Sequence, residues 1–133
     1  MNCVLDACAM IALLRAEPGE AVVWAHLGDP NNVCFAHAIN LCEVYYDFYR
    51  DAGEAAAESA VEDLKGLGVV ERNDFDESLW KSAGSLKAKG KISLADCVAI
   101  ALTNRVGGTL LSSDHHELDA IAAAGICPIK FIR

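Results

Sequence analysis

Two carboxylates in residues 92–114 occupy positions where folding alone would not require an acid. Asp96 lies inside residues 94–102, a run otherwise made only of leucine, alanine, cysteine, valine and isoleucine. Such a run is expected to be largely buried, and a buried carboxylate needs a compensating partner. Asp114 directly follows a short β-like run at residues 109–113. The rest of the chain must therefore show what these two acids face.

A third acid, Asp6, follows a short apolar strand pattern and precedes a helical pattern over residues 7–15. The same order of strand, acid and helix recurs at Asp114, which separates strand 109–112 from a helix around residues 118–124. In open α/β sheets the ligand crevice lies at the carboxyl ends of the strands. Asp6 and Asp114 are therefore expected to point into one crevice.

Asp96 is predicted to reach the same crevice. Ser93 and Asp96 have the spacing of a capping box, which places Asp96 in the first turn of a helix over residues 93–105. That helix runs antiparallel to the following strand, so its N-terminus lies near the end of the strand. Each acid, taken singly, could be only a helix cap or a turn residue. The convergence of three carboxylates on one rim favours a shared site.

Crowded carboxylates repel each other, and at least one takes up a proton unless a cation lies between them. A hard divalent cation removes the conflict, and an all-oxygen ligand set favours Mg²⁺ or Mn²⁺ over zinc. Such an ion orients a phosphodiester, activates water and stabilises the leaving oxygen. The pattern predicts metal-assisted phosphodiester hydrolysis, with Asp6, Asp96 and Asp114 as the metal ligands.

The elements that would position these acids are short apolar strands alternating with helices. Strands are predicted over residues 3–5, 33–36, 109–112 and 129–132, with at most a short edge strand at 69–71. Helices are predicted over residues 7–15, 20–27, 38–52, 54–67, 76–89, 93–105 and 118–124. This alternation calls for an α/β fold with a parallel sheet covered on both faces. With 133 residues and 53% hydrophobic content, the chain is expected to form one domain over residues 1–133.

Composition excludes some classes of protein. The formal net charge of −8 argues against nucleic-acid binding through a broad basic surface, although acids gathered around a cation weaken that objection. The six cysteines form no C-x-x-C pair and lie among apolar residues, which favours reduced core residues over disulfides or zinc. No apolar run approaches the length of a membrane span, so a soluble cytoplasmic protein with no membrane partner is expected.

Four segments of the chain carry a resemblance to a known family: VLDACAMIALLRAEPG, INLCEVYYDFYRD, ISLADCVAIALTNRVGGTLLSSD and HHELDAI. In this order and spacing they resemble the PIN-domain nucleases, and specifically the VapC-like toxins of type II toxin-antitoxin systems. The resemblance implies an α/β/α sandwich with a central, mainly parallel sheet of four to five strands. It also implies a Mg²⁺- or Mn²⁺-dependent endoribonuclease and, for most such toxins, a homodimer inhibited by a cognate antitoxin.

The resemblance adds Glu43, on helix 38–52, to the three aspartates and so implies a catalytic set of Asp6, Glu43, Asp96 and Asp114. From the residues alone, Glu43 is more typical of a solvated helix position.

Other residues gain expected roles around this site through the resemblance. Ser112 matches a hydroxyl residue that helps to fix the site through hydrogen bonds, and Glu117 and Asp119 are candidate outer ligands. Cys8 stands where the family more often has serine, and its thiol is a weaker hydrogen-bond donor.

Two surface features suggest contacts with other molecules. Lys87, Lys89 and Lys91 form a basic cluster just before the Asp96 helix, for which a solvated helix end is the simpler interpretation and an RNA-backbone contact the hypothesis. Helix 38–52 carries aromatic residues on more than one face, which suggests a surface for the antitoxin or a second subunit. The adjacent pair His115 and His116 is more typical of a solvated helix start than of a metal site.

Two other functions remain open from the sequence. An aspartate-based phosphotransfer or phosphatase protein would also place an acid after the first strand. The haloacid-dehalogenase type needs Asp-x-Asp, however, where this chain has Asp6, Ala7 and Cys8, and a receiver domain needs paired acids and a strand-end lysine that are not found. A binding module for RNA or protein, without turnover, is the second alternative.

Overall fold

The computed structural model describes all 133 residues, and its strands are short and apolar. The strands are β1 (Asn2–Leu5), β2 (Val33–His37), β3 (Val70–Arg72), β4 (Thr109–Ser112) and β5 (Ile129–Phe131). They form one five-stranded sheet in the order β3-β2-β1-β4-β5, in which every neighbouring pair is parallel. The predicted parallel sheet is confirmed, including β3 as an edge strand.

Seven helices connect the strands. They are α1 (Ala7–Leu14), α2 (Glu20–Gly28), α3 (Ala38–Ala52), α4 (Glu54–Gly66), α5 (Glu77–Lys89), α6 (Leu94–Val106) and α7 (His115–Ala123). All seven were predicted, but α7 begins at residue 115 rather than near 118, because the Asp114 side chain caps it. None of the helices is long and apolar enough to cross a membrane.

The central strand β1 is buried on both faces, which explains why it is a continuous apolar run rather than an alternating one. Because successive side chains on a strand point to opposite faces, Val4 and Leu5 belong to different cores. Leu5 packs in the core that includes residues of α1 to α4, and Val4 packs in the core that includes residues of α5 to α7. The chain is therefore an α/β/α sandwich, as the sequence predicted.

The turn between α6 and β4 depends on two glycines. Gly107 ends α6 in the left-handed region, with φ of 62°, and its backbone N–H bonds back to the end of the helix. A Cβ on Gly108 would overlap the carbonyl oxygen of Asn2, so only glycine permits this approach of β4 to β1. The close turn sets the register in which Leu5 pairs with Leu111, and it brings the ends of the two strands together.

The prediction that all cysteines are core residues is wrong for one of them. Cys42 is exposed, because α3 buries the neighbouring Leu41 and Val44 and the helix turns residue 42 away from that stripe. Cys8 is partly buried, and the remaining cysteines are buried. All six cysteines are free thiols.

Candidate active site at the carboxyl ends of the strands

Asp6 follows β1 directly and caps α1. Its Oδ1 accepts a hydrogen bond from the Ala9 backbone N–H at 2.9 Å. Its Oδ2 is buried without any hydrogen-bond partner, and the residue is only 1% exposed. A capping role therefore explains one carboxylate oxygen and leaves the other unexplained, since buried polar atoms are normally paired.

The environment of Asp6 opposes its negative charge. Burial raises the pKa of this carboxyl to about 7, and the charges of Asp114 and Glu43 act in the same direction. The Ser112 hydroxyl and the Ala9 amide act in the opposite direction, and the hydroxyl does so from nearby without a well-aligned hydrogen bond to Oδ2. A carboxylate with such a pKa gains stability from either a proton or a cation at Oδ2.

Asp96 lies in the first turn of α6 and is 8% exposed. Ser93 caps the helix by accepting a hydrogen bond from the Asp96 N–H at 3.2 Å, as the predicted capping box requires. The reciprocal bond is different, because the Ser93 N–H donates to Oε2 of Glu117 at 3.1 Å. Glu117 thus performs the second half of the cap and leaves the Asp96 carboxyl available to the crevice.

Asp114 caps α7, with its Oδ1 accepting a hydrogen bond from the Glu117 N–H at 3.1 Å. The carboxylate oxygens of Asp96, Asp114 and Glu117 lie within 4.8 Å of one another, close enough to share a metal ion. We call these three residues the acidic cluster. The sequence indicated Glu117 only as a candidate outer metal ligand. Because it lies three residues after the cap Asp114, it is in the first turn of α7 and faces the same crevice.

The carboxyls of Asp96 and Glu117 share a hydrogen bond. The pKa of Asp96 is raised because the carboxyl is buried, hydrogen-bonded to Glu117 and close to the negative charges of Asp6 and Asp114. The pKa of Glu117 is lowered, chiefly because it accepts the hydrogen bond from Asp96. In the absence of a cation, Asp96 therefore holds a proton more strongly than an ordinary aspartate, and a bound cation can replace that proton.

Glu43 lies on α3 and is not one of the three residues in the acidic cluster. Burial raises its pKa, and its Oε1 accepts a hydrogen bond from Nδ2 of Asn40 at 3.2 Å. Its charge nevertheless contributes to the raised pKa of Asp6, so Glu43 borders the same crevice.

Asn40 is a site residue that sequence reasoning missed. It is fully buried, and its Nδ2 also donates to the Ala95 carbonyl at 3.4 Å, which links α3 to the first turn of α6. Its Oδ1 has no partner. The sequence could have indicated Asn40, because it lies three residues before Glu43 and residues at that spacing are neighbours on a helix.

Ser112 and Cys8 both border the acids. Ser112 is fully buried, and its hydroxyl oxygen accepts the Asp114 backbone N–H at 3.0 Å, which fixes the loop that carries this acid. Burial, followed by the charges of Asp6, Asp114 and Asp96, raises the pKa of the Cys8 thiol to about 12. Cys8 therefore stays a neutral thiol beside the acids.

Asp119 and His115 lie outside the acidic cluster. Nδ1 of His115 is 2.7 Å from Oδ1 of Asp119, and its Nε2 is 2.7 Å from the carbonyl oxygen of Arg133. The His115 ring also stacks on Phe131, with 4.0 Å between the ring centroids. These contacts fasten the end of the chain to α7, so they give both residues a structural role.

Comparison with known proteins identifies both a family and a common fold. A model of the PIN domain family matches residues 3–124. Comparison with curated proteins finds no significant match. Among solved structures, the chain is similar to VapBC2 from Rickettsia felis bound to a DNA fragment from their promoter, with a TM-score of 0.78, 14% identity and coverage of 98% of each chain.

Two further solved structures show the same fold. VapC20 from Mycobacterium tuberculosis, a sarcin-ricin loop cleaving toxin, has a TM-score of 0.72 and 18% identity, with coverage of 89% of this chain and 94% of that one. A toxin-antitoxin complex from Klebsiella pneumoniae has a TM-score of 0.71 and 14% identity, with coverage of 98% of each chain. At these identities the similarity establishes a shared fold.

Proposed function

The chain belongs to the PIN domain family, and from that membership we propose that it is a Mg²⁺- or Mn²⁺-dependent endoribonuclease that hydrolyses RNA phosphodiester bonds. The observation that carries the proposal is the buried, unpartnered Oδ2 of Asp6 near the acidic cluster. An isolated acidic cluster is common on protein surfaces, whereas a buried carboxylate oxygen without a donor calls for a cation or a proton.

The donor set fits a hard divalent cation. Asp6, Asp96 and Asp114 are the proposed metal ligands. Asp96 and Asp114 belong to the acidic cluster with Glu117, and Asp6 lies outside it but close enough for the charge of Asp114 to raise its pKa. All offer carboxylate oxygens, which Mg²⁺ and Mn²⁺ prefer to the nitrogen and sulfur ligands of zinc sites. The neutral thiol of Cys8 is a poor competitor, since metals bind the thiolate.

Each residue of the site then has a separate role in hydrolysis. A bound cation would orient the phosphodiester and make water more acidic. Glu43 has one oxygen held by Asn40, and its other oxygen can accept a proton from water. Ser112 holds Asp114 in place, and the N-terminus of α6 favours the negative charge of Asp96. The proposed catalytic set is Asp6, Glu43, Asp96 and Asp114.

Incubation of the purified chain with structured RNA, with and without Mn²⁺ or Mg²⁺, tests the proposal. Cleavage that requires the cation supports it. Binding of RNA without cleavage under any cation would instead favour a binding module, and transfer of a phosphoryl group to Asp6 would favour a phosphotransfer protein.

The proposal includes a biological role as the toxin of a toxin-antitoxin pair. It is supported by similarity to a toxin-antitoxin complex and to a sarcin-ricin loop cleaving toxin. The partners are an RNA substrate, a cognate antitoxin and a second copy of the chain in a homodimer. On α3, Tyr46 and Tyr49 are 45% and 46% exposed and offer an aromatic surface for the second copy.

A groove of about 490 Å³ between α1, α2 and α4 is the proposed antitoxin-binding surface. Trp24 lines it and is 46% exposed, next to Leu14 and Leu67. Glu62 and Asp63 give the groove an acidic border. An apolar segment flanked by basic residues is the partner that matches this surface.

Trp24→Ala is expected to weaken antitoxin binding more than about tenfold, because exposed tryptophans in apolar grooves are frequent binding hot spots. RNA cleavage by the free protein is expected to remain unchanged. Isothermal titration with the cognate antitoxin measures the effect. Trp80→Ala is the matched control, since Trp80 is 44% exposed on α5, in the opposite helical layer. Equal losses in the two variants would show that the groove is not the binding surface.

Of the three lysines in the basic cluster, Lys87 has a structural contact and is left out of the RNA-binding prediction. Nζ of Lys87 donates to the Ile92 carbonyl at 2.8 Å and so holds the loop before α6. Replacing it would disturb that loop. Lys89 and Lys91 are exposed and remain the candidates for phosphate contacts.

Replacing both Lys89 and Lys91 by alanine is expected to weaken RNA binding and to make that binding less dependent on salt concentration. The slope of log K against log salt should fall by about 0.7 for each lost phosphate contact. Fluorescence anisotropy with single-stranded RNA measures this slope. The buffer contains Ca²⁺ at a concentration at which no cleavage of the RNA is detected. Lys65→Ala and Lys81→Ala, which remove lysines paired with Glu71 and Glu77, serve as controls. An unchanged slope in the double variant would exclude these contacts.

A further inference from the structure

A second cavity, of about 410 Å³, lies beside the acidic cluster, between the end of α5, the loop before α6 and the outer face of α7. Its floor is apolar and includes Leu86, Ile92 and Ile121. Ile126 also lines it and is 42% exposed, although a side chain of this kind is normally covered. The volume falls within the range of small-molecule binding sites.

The cavity shares a wall with the candidate active site. Glu117 lines the cavity, while its carboxylate also belongs to the acidic cluster and accepts the Ser93 N–H. Ile92, on the floor of the cavity, immediately precedes Ser93. A ligand in the cavity would therefore lie next to any group held at Asp96 and Asp114.

The lining of the cavity contains two lysines and one acid, Glu117, so it has an excess of positive charge, in contrast to the net charge of −8 for the whole chain. Lys89 and Lys91 line it, and His116 adds an imidazole that can bind an anion. An apolar floor with a cationic rim matches a ligand that has a flat apolar part and attached negative charge. A nucleotide has this combination, since its base has apolar faces and its phosphate is anionic.

From these observations we infer that the cavity is a nucleobase subsite, which takes one base of a single-stranded RNA adjacent to the cleaved bond. Lys89, Lys91 and His116 contact the phosphate attached to that base. This inference rests on the proposed ribonuclease function, because the site that adjoins the cavity is the one assigned to the scissile phosphate. The subsite would give the enzyme a preference for the base at one position of its substrate.

Titration with the four nucleoside 5′-monophosphates tests the subsite without any need for catalysis. Methyl NMR spectra are expected to show saturable shifts of the Ile92, Ile121 and Ile126 δ1 methyl groups with at least one nucleotide. Ile11 and Ile39, which are not among the residues that line the cavity, provide internal controls. If none of the four nucleotides shifts the cavity methyl groups selectively, the inference is wrong.

Filling the cavity provides the second test. Ala120→Trp places an indole over the floor from an exposed position on α7, so the core is not disturbed. Ala123→Trp is the matched control, because Ala123 is exposed on the same helix and does not line the cavity. The first variant is expected to bind single-stranded RNA about tenfold more weakly than the second and to lose the nucleotide-induced shifts. Melting temperatures of both variants verify that they fold.

A set of RNAs that each lack one base identifies the position read by the cavity. Removing the base that occupies the cavity should weaken RNA binding by the control variant Ala123→Trp. The same removal should not weaken RNA binding by Ala120→Trp any further. Equal RNA binding by the two tryptophan variants would overturn the inference, as would a loss of antitoxin binding alone, which would assign the cavity to a protein partner.

These outcomes separate the inference from the proposed function. If the wild type cleaves RNA with a metal requirement but the two tryptophan variants bind and cleave equally, the ribonuclease function stands and the subsite fails. If the wild type cleaves no RNA, the ribonuclease function fails, and the nucleotide titration still decides whether the cavity binds a base.

Discussion

Asp96→Asn is expected to lower the rate of metal-dependent RNA cleavage by more than about 100-fold. Changes to groups that only orient metal ligands already lower metal affinity or activity 10–100-fold, and Asp96 is a proposed ligand. Asp96 shares a hydrogen bond with Glu117 that raises the pKa of Asp96 and lowers that of Glu117, which makes the Asp96 carboxyl the donor in that bond. The asparagine amide can donate in the same way, so the substitution preserves the hydrogen bond and removes the charge that the cation requires. Single-turnover cleavage at saturating Mn²⁺ measures the loss.

Two controls separate a lost ligand from a damaged fold. Asp51→Asn makes the same chemical change at an exposed position on α3, outside the acidic cluster, and should retain full activity. Melting of the metal-free protein should occur at no lower temperature in Asp96→Asn, because asparagine removes a carboxyl whose raised pKa opposes folding. The increase in melting temperature on addition of Mn²⁺ should be lost. An Asp96→Asn protein that keeps both its cleavage rate and its response to Mn²⁺ would contradict the site assignment.

The positions of Asp6, Asp96 and Asp114 followed from local rules in the sequence. Each of these acids begins a helix or lies in its first turn, and Asp6 and Asp114 also closely follow strands of a parallel sheet. Helix starts and strand ends leave strong local signals, because capping residues and apolar runs are needed to form the elements themselves. The topology of a parallel sheet then brings those signals to one edge.

Contacts between distant parts of the chain were not predictable in this way. The Ser93 N–H bonds to Glu117 across 24 residues, and Asn40 bonds to the Ala95 carbonyl across 55 residues. A capping-box pattern considers only residues of one helix, so it assigned the reciprocal bond to Asp96 rather than to Glu117. Likewise, Lys87 was grouped with its neighbouring lysines because its bond to Ile92 depends on the path of the loop.

The structure also adds the physical state of the acids, which the sequence could not supply. Burial raises the pKa of Asp6 and of Glu43, and burial together with the Glu117 hydrogen bond raises that of Asp96. These residues are therefore held where ionisation opposes folding, in the absence of a cation. Such an arrangement is stable only because the two hydrophobic cores on either side of the sheet supply a large favourable term.

Asp6→Asn is expected to stabilise the metal-free protein at pH 8. The folded-state pKa of about 7 lies above the ordinary value of 3.8, so the unfolded chain loses this proton at a lower pH than the folded one. Below pH 4 the group has no effect on stability. Its cost grows as the pH rises towards 7 and is constant above that, on the order of 4 kcal/mol. Asparagine removes this cost and can still accept the Ala9 N–H as a helix cap.

Urea denaturation of the metal-free proteins at pH 5 and pH 8 measures the effect. The difference in unfolding free energy between Asp6→Asn and the wild type should be larger at pH 8, because only the wild type carries the buried charge. Titrating groups far from Asp6 are common to both proteins and cancel in this difference. Loss of the Asp6 charge also lowers the pKa of the neighbouring Asp96, which favours the folded variant at pH 8 and so acts in the same direction. Asp51→Asn, the same chemical change at an exposed position, is measured alongside as the control.

Addition of Mn²⁺ should stabilise the wild type more than Asp6→Asn. A cation at one hundred times its dissociation constant stabilises the protein that binds it by about 2.7 kcal/mol, and the wild type should show this gain while Asp6→Asn shows little or none. The charge that destabilises the metal-free protein would then be the charge that holds the cation. Equal stabilisation of both proteins by Mn²⁺, together with lower stability of Asp6→Asn at pH 8, would mean that Oδ2 of Asp6 is not a metal ligand.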